Sequence, residues 1–175
     1  MREITTSSRR IYEGRVVNLR VDTVRLENGH ITEREIVEHR GSVAMVALDE
    51  DSNVLLVRQF RKPAERELLE IPAGTLEPGE EPLVCAQREL REETGYRAAQ
   101  IEEMCTFYTS PGFCTEQIHL YLATGLELAY LPAEKDEAIE VIKTPLAKAL
   151  EMIKSGEIAD AKSIVGLLMA WAKRT

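Results

Sequence analysis

Cysteine is scarce: three in 175 residues, Cys85, Cys105 and Cys114, are too few and too scattered for a disulfide framework or a zinc site with paired ligands. They read as reduced thiols in or near the core. No apolar run approaches the ~20 residues that a membrane-spanning helix needs, so no membrane partner is expected. The opening MREITTSSRRIYEGR lacks the apolar stretch of a secretory signal, which makes the cytoplasm the expected location. Positive charge is also short, with 22 Lys and Arg against 30 Asp and Glu for a net charge of −8. That balance argues against a general basic stripe for neutralising nucleic-acid phosphates, and no nucleic-acid partner is expected. Several hydrolase plans lack their parts: G-x-S-x-G, H-E-x-x-H and G-x4-G-K-[ST] are all absent. His30, His39 and His119 stand isolated and read as structural. Neither an internal repeat nor a low-complexity linker is present.

What remains is a chain with 44% apolar and 30% charged residues, the balance of a globular protein. Its length suits one domain with a sizeable core and a small appended segment. In VVNLRVDTVRLENGHITEREIVEH two β-prone runs flank Asn28-Gly29, a dipeptide suited to a tight hairpin turn. Residues 1–40 are therefore expected to form an N-terminal β hairpin or small sheet, and residues 41–175 the main domain. SVAMVALDE and NVLLVRQF, separated by Asp51 and Ser52, predict a second pair of strands with a fuller core. The charged stretch between positions 61 and 70 reads as irregular, and IPAGTLEPGEEP as a loop with one short strand. A helix is predicted over residues 80–94, with Pro82 in its first turn and Gly95 as its stop. Strand-like IEEMCTFYT, QIHLYLAT and IEVIKT follow. Two helices end the chain, LAKALEMIKS closed by Gly156 and a second with Asp160 as its N-cap. This mixture of strands with three helices is α/β or α+β.

Chemistry concentrates in residues 74–96, GTLEPGEEPLVCAQRELREETGY. At ~100° per residue, Glu89, Glu92 and Glu93 share an arc of ~100°, while Leu83, Ala86 and Leu90 take the adjoining arc and should face the core. Like charges three and four apart repel by a few tenths of a kcal/mol per pair, so the cluster is mildly unfavourable unless cations sit on it. Hard divalent ions prefer carboxylate oxygens, and magnesium leaves room in its shell for water and phosphate. The bland alternative for Glu-x-x-Glu-Glu alone is a solvated acidic face.

The surrounding spacing decides between them. Gly74, Glu80, Arg88-Glu89-Leu90, Glu92-Glu93, Gly95 and Tyr96 match G-x5-E-x7-R-E-U-x-E-E-x-G-U at every fixed position over 23 residues. The chain thereby resembles the Nudix hydrolases. The resemblance implies a Nudix fold, a mixed β-sheet sandwiched between helices. It also implies divalent metals, magnesium or manganese, held by Glu89, Glu92 and Glu93 with the backbone carbonyl of Ala73. Arg88 would orient a neighbouring glutamate, and Gly74 and Gly95 would permit the turns at the two ends of the helix. Glu80 reads as a minor ligand or as a charge offsetting the helix dipole.

Outside the box, residues 57–74, VRQFRKPAERELLEIPAG, and the segment SPGFCTE are similar to the ADP-ribose and nucleoside diphosphate sugar branch; Pro111 stands fifteen residues beyond Tyr96. Lys62 departs from it, standing where an aromatic residue is common. The branch implies magnesium-dependent hydrolysis of ADP-ribose to AMP and ribose 5-phosphate. Other nucleoside diphosphate sugars or dinucleoside polyphosphates remain alternatives within enzymes. A catalytically silent nucleotide-sensing module is the alternative outside them, and the filled acidic positions speak against it. Arg58 and Arg61 supply forked donors for phosphate, with a surface ion pair as the alternative for each. Gly112 and Glu116 of SPGFCTE are candidates for substrate contact, Glu116 through ribose hydroxyls. Glu70 could reach a metal or a ribose, or pair with a box arginine. Catalysis falls to Glu92 and Glu93 with a general base from the acidic loop, Glu137 first, then Glu134, then Glu140. Similar enzymes are homodimers whose N-terminal segments cross over and help seat the base, with Tyr12 or Arg25 as candidates here.

Overall fold

The computed structural model describes residues 2–129 and 139–174. Two compact units emerge, one formed by residues up to Gly41 together with Tyr108–Gln117, the other by Ser42–Phe107 with the chain from Ile118 on.

In the first unit β1 (Glu3–Glu13), β2 (Val17–Leu26) and β3 (Ile31–His39) form an antiparallel sheet in that order. The turn between β2 and β3 falls at Asn28-Gly29, as the dipeptide predicts: Gly29 has φ 83°, a left-handed value that glycine adopts without strain. All eleven residues of β1 are exposed, Ile4, Ile11 and Tyr12 among them. The segment Tyr108–Gln117 joins this unit through β3, where Val37 N–H donates to the Phe113 carbonyl at 2.8 Å and Thr115 N–H to that of Val37 at 2.9 Å.

In the second unit, β4 (Ser42–Ala47) is buried at all six positions. Its alternate residues serve two cores. Val43, Met45 and Ala47 pack with Cys85, Ala86 and Leu90 of α1 (Pro82–Thr94), while Ala44 and Val46 pack with Leu146 and Ala149 of α2 (Leu146–Ser155) and Leu167 and Ala170 of α3 (Ala161–Ala172). Because strand side chains alternate with period two, this places the sheet between α1 on one face and α2 with α3 on the other. The fold is thus the expected mixed sheet sandwiched between helices.

The two apolar runs near residue 50 are strands with a full core, as expected, but they do not pair with each other. A turn is present, with Asp49 accepting from Asn53 N–H at 2.8 Å through its carboxylate, but only the bridge Leu48↔Val54 joins the flanking runs. β4 lies instead between β7 (Ala73–Thr75) and β9 (Gln117–Leu128), parallel to β9, with β8 (Tyr96–Tyr108) outermost. A strand that is apolar on both faces needs a central place with a helix over each side, and a two-strand hairpin cannot supply one. β5 (Asn53–Arg61) pairs with β6 (Arg66–Glu70) and β10 (Glu140–Pro145) in a separate sheet.

The expected irregular stretch at 61–70 is likewise corrected. A 3₁₀ turn at Lys62–Ala64, closed by Glu65 at φ 52°, leads into β6. Its charges hid the strand: Arg66 and Glu67 are exposed, whereas Leu69 and Glu70 are buried. Among the described residues no helix is long and apolar enough to cross a membrane.

Candidate active site

The helix α1 begins where the sequence places it, with Pro82 in its first turn, and ends at Gly95 in the left-handed region at φ 73°. Its burial differs from the expected stripe. Leu83 is exposed, and Cys85, Ala86, Leu90 and Thr94 are the buried residues. Cys85 lies on the glutamate side and is covered there because β7 runs alongside, close enough for a 3.7 Å contact from Cys85 Sγ to the Thr75 carbonyl oxygen. Burial first, then the charges of Glu80 and Glu89, push the Cys85 thiol up to about 12, so it stays protonated and unreactive.

β7 brings backbone to the carboxylates. Ala73 N–H donates to Glu93 Oε2 at 2.9 Å. Gly74 has a role other than the turn expected of it. It lies within β7 and carries no positive φ, and a Cβ built there would stand 1.9 Å from Glu89 Cδ. Glycine at this position makes room for the Glu89 carboxylate, so one side chain is absent in order that another can be seated.

Arg88 organises the remaining acids. Its Nε and Nη2 donate to the two oxygens of Glu80, both at 2.9 Å, and Nη1 donates to Glu89 at 2.8 Å and to Glu92 at 2.9 Å. The fifth donor contacts Cys85 Sγ at 3.4 Å. All five N–H groups of the guanidinium are thereby used. The bidentate bond from Arg88 is the main reason that the Glu80 carboxyl is pulled down to about 2. Glu80 acts here as the anchor of Arg88, and it also accepts from Glu77 N–H at 3.0 Å. Arg88 in turn is pushed above its ordinary value, first by the same bond.

A second ionic group joins β5, β6 and α3. Glu70 is 2% exposed and accepts two bonds from Arg61, from Nε at 2.9 Å and from Nη2 at 2.7 Å. Lys162 also donates to it and bonds Asp160 at 3.0 Å. Burial raises the Glu70 carboxyl, but the bonds from Arg61 and Lys162 outweigh that and hold it below its ordinary value. Asp160 is the N-cap of α3 as expected, accepting from Ser163 N–H at 3.0 Å, and the Ser163 hydroxyl accepts from Ile71 N–H at 2.8 Å. The partner of Glu70 is therefore Arg61, nine residues before it, and not a box arginine.

Lys162 carries a signal in the sequence. A cation in the first turn of a helix opposes the macrodipole and implies a nearby carboxylate that outweighs it.

The other candidates are placed as follows. Arg58 pairs with Glu140 at 3.2 Å, both side chains exposed, across the β5–β10 register that sets them opposite each other. Glu134 and Glu137 lie outside the described residues. In the first unit Glu116 accepts from the Thr109 hydroxyl at 2.9 Å and lies 3.6 Å from His39 Nδ1, and Gly112 is exposed with open space around its Cα. Tyr12 is exposed on β1.

One guanidinium thus faces three carboxylates, with a fourth held by a backbone N–H beside them. Among the described residues no three acidic, histidine or cysteine side chains already converge on one point, since Arg88 draws Glu89 and Glu92 to itself. The available donors are oxygen only, carboxylates in acid excess beside strand backbone, and that set fits a hard divalent cation such as magnesium.

The comparisons with known proteins agree with this arrangement. The NUDIX domain family matches residues 38–164. The chain belongs to the Nudix family. Residues 3–37 match the nucleoside diphosphate sugar hydrolase N-terminal domain. Among curated relatives, a methanol dehydrogenase activator of Bacillus methanolicus is 46% identical over 94% of this chain and 90% of its own length. An ADP-ribose pyrophosphatase of Bacillus subtilis is 45% identical over 93% of this chain and 89% of its own. A crystal structure of an ADP compounds hydrolase superposes with a TM-score of 0.87, covering 99% of this chain and 95% of that one at 20% identity, which speaks for the fold. The protein is a Nudix hydrolase, and members of this family generally require a divalent cation, typically magnesium.

Proposed function

We propose that this Nudix hydrolase cleaves the pyrophosphate bond of ADP-ribose with water, giving AMP and ribose 5-phosphate, in the presence of magnesium. The observation that carries the reading is the acid excess on α1, seated against β7 by the missing side chain of Gly74 and the N–H of Ala73. The likeness to the Bacillus subtilis ADP-ribose pyrophosphatase supports the choice of substrate.

Glu89, Glu92 and Glu93, with the carbonyl of Ala73, would hold the cation. When bound, it polarises phosphoryl oxygens and lowers the pKa of the attacking water. The chain's own residues do the rest. Arg88 fixes the rotamers of Glu89 and Glu92, and Glu80 holds Arg88 in place. Arg58 supplies positive charge for the diphosphate, whereas Arg61 stays committed to Glu70 through two hydrogen bonds. The proton of the attacking water goes to an acid of residues 134–140, Glu137 first. Replacing Glu137 with Gln should lower kcat by about 100-fold. A change within about threefold would move the role to Glu134 or Glu140.

The exposed β1, with Ile4, Ile11 and Tyr12 open to solvent, supports a homodimer formed through residues 1–40. Sedimentation of the full chain should give twice the monomer mass. For the reaction itself, incubation with ADP-ribose and magnesium should release AMP, and GDP-mannose and a dinucleoside polyphosphate run in parallel test the substrate choice. Faster release from either of these would overturn ADP-ribose as the substrate, and no release from any of the three would overturn hydrolysis.

A further inference from the structure

β6 ends at Glu70 and β7 begins at Ala73, so Ile71 and Pro72 lie outside the paired registers of both strands. Pro72 has no N–H, which makes Ile71 the donor of this link. Beyond it each residue is bonded in turn. The Pro72 carbonyl accepts from Met45 N–H at 2.9 Å, and Ala73 N–H donates to Glu93 Oε2 at 2.9 Å. A displacement at Ile71 therefore reaches Glu93 within two residues.

The helix α3 holds Ile71 at two points. Ile71 and Ser163 are both fully buried, and Ile71 N–H donates to Ser163 Oγ at 2.8 Å. The Ser163 hydroxyl in turn donates to Asp160 Oδ2 at 2.6 Å, which leaves its lone pairs to accept from Ile71. Nearly one helical turn on, Gly166 makes room for the Ile71 side chain. A Cβ built there would stand 2.9 Å from Ile71 Cδ1 and from Val46 Cγ2, and 3.2 Å from Leu120 Cδ1. Glycine inside a helix is unfavourable relative to alanine, and this close approach is the reason for it in α3. Residues three apart share a helix face, so Ser163 and Gly166 grip the same residue, one by its N–H and the other by its side chain.

We propose that Ser163 is a positioning residue for the acidic face of α1, acting on Glu93 through the backbone of Ile71, Pro72 and Ala73. Asp160 orients the Ser163 hydroxyl, and Gly166 lets α3 come near enough to use it. The inference rests on the proposed reading of that face as the seat of a divalent cation. Removing an outer partner that orients metal ligands typically costs about 10- to 100-fold in metal affinity.

Magnesium titration by calorimetry, at a temperature where every variant is fully folded by circular dichroism, separates positioning from stability. Ser163→Ala leaves the Ile71 N–H without its acceptor, so magnesium affinity should fall by about tenfold or more. The Ala73 amide resonance should also shift in NMR spectra recorded without metal. Ser163→Cys keeps the shape of the side chain and offers only a weak acceptor, and it carries the same expectations if Ser163→Ala does not fold. Magnesium affinity within about twofold of the parent overturns the positioning role, whatever the melting temperature does. An Ala73 amide that does not move overturns the route through the backbone. Turnover of ADP-ribose by the parent is a separate reading: a parent that binds magnesium and leaves ADP-ribose intact loses the proposed function, while the Ser163 variants still decide the positioning role. A parent that takes up no magnesium overturns both.

Discussion

The second unit holds two ionic clusters made from the same kinds of side chain. Around Arg88 one guanidinium meets Glu80, Glu89 and Glu92, with Glu93 beside them, and the group is partly open to solvent. Around Glu70, by contrast, Arg61 and Lys162 meet Glu70 and Asp160, two charges of each sign, with Glu70 buried. A balanced buried cluster satisfies itself and ties β5, β6 and α3 together; removing one member leaves a charge stranded. An unbalanced, accessible one retains negative potential that only an added cation can relieve. The comparison teaches that balance and access, more than the presence of carboxylates, separate a site from a staple. The two are not wholly independent, since Arg61 also feels the charge of Glu93.

The sharpest way to break the contrast is to remove one carboxylate from each side. Glu93→Gln should lower turnover at least about 100-fold at saturating magnesium while leaving the melting temperature equal or higher, because a repulsive charge is gone. A variant with near-parent activity would end the assignment of metal binding to this face. Glu70→Ala should do the reverse, costing about 3 kcal/mol, or roughly 10 °C in Tm, with magnesium affinity unchanged by calorimetry. Gly74→Ala tests whether space for Glu89 is the reason for that glycine. The protein should fold, since the clash is with the end of a movable side chain, yet magnesium affinity should fall by about tenfold or more as Glu89 is displaced.

The smallest effect concerns pH. Glu80 is held at about 2, below an ordinary carboxylate near 4.5, so its contribution to stability is present above about pH 4.5 and is lost as pH falls through 2. NMR titration should find this carboxyl still ionised at about pH 3.5 in the parent. In Arg88→Gln it should titrate in the ordinary range. An ordinary value in the parent would remove Glu80 as the anchor of Arg88.

Much of this was readable from local spacing, and the misses share a cause. The arc of Glu89, Glu92 and Glu93, the stop at Gly95, the cap at Asp160 and the turn at Asn28-Gly29 each depend on residues within a few positions of one another. The helical period points Leu83 toward the core because it says which residues share a face, but it cannot say how far along the helix the sheet extends, and Leu83 is exposed. Residues 61–70 looked irregular because β6 is half charged, and its acidic end becomes a strand only with Arg61 and Lys162 to accept it.

Order along the chain is enough to specify the family motif, the helix that carries the acids and the side on which they lie, because helical geometry depends on nothing else. Tertiary structure alone decided that β4 leaves its neighbour β5 for β9, that Gly74 is empty so that Glu89 can be seated, and that Lys162 closes on Glu70 from 92 residues away. These depend on which surfaces meet when both faces of a sheet are covered, and distance along the chain says nothing about that.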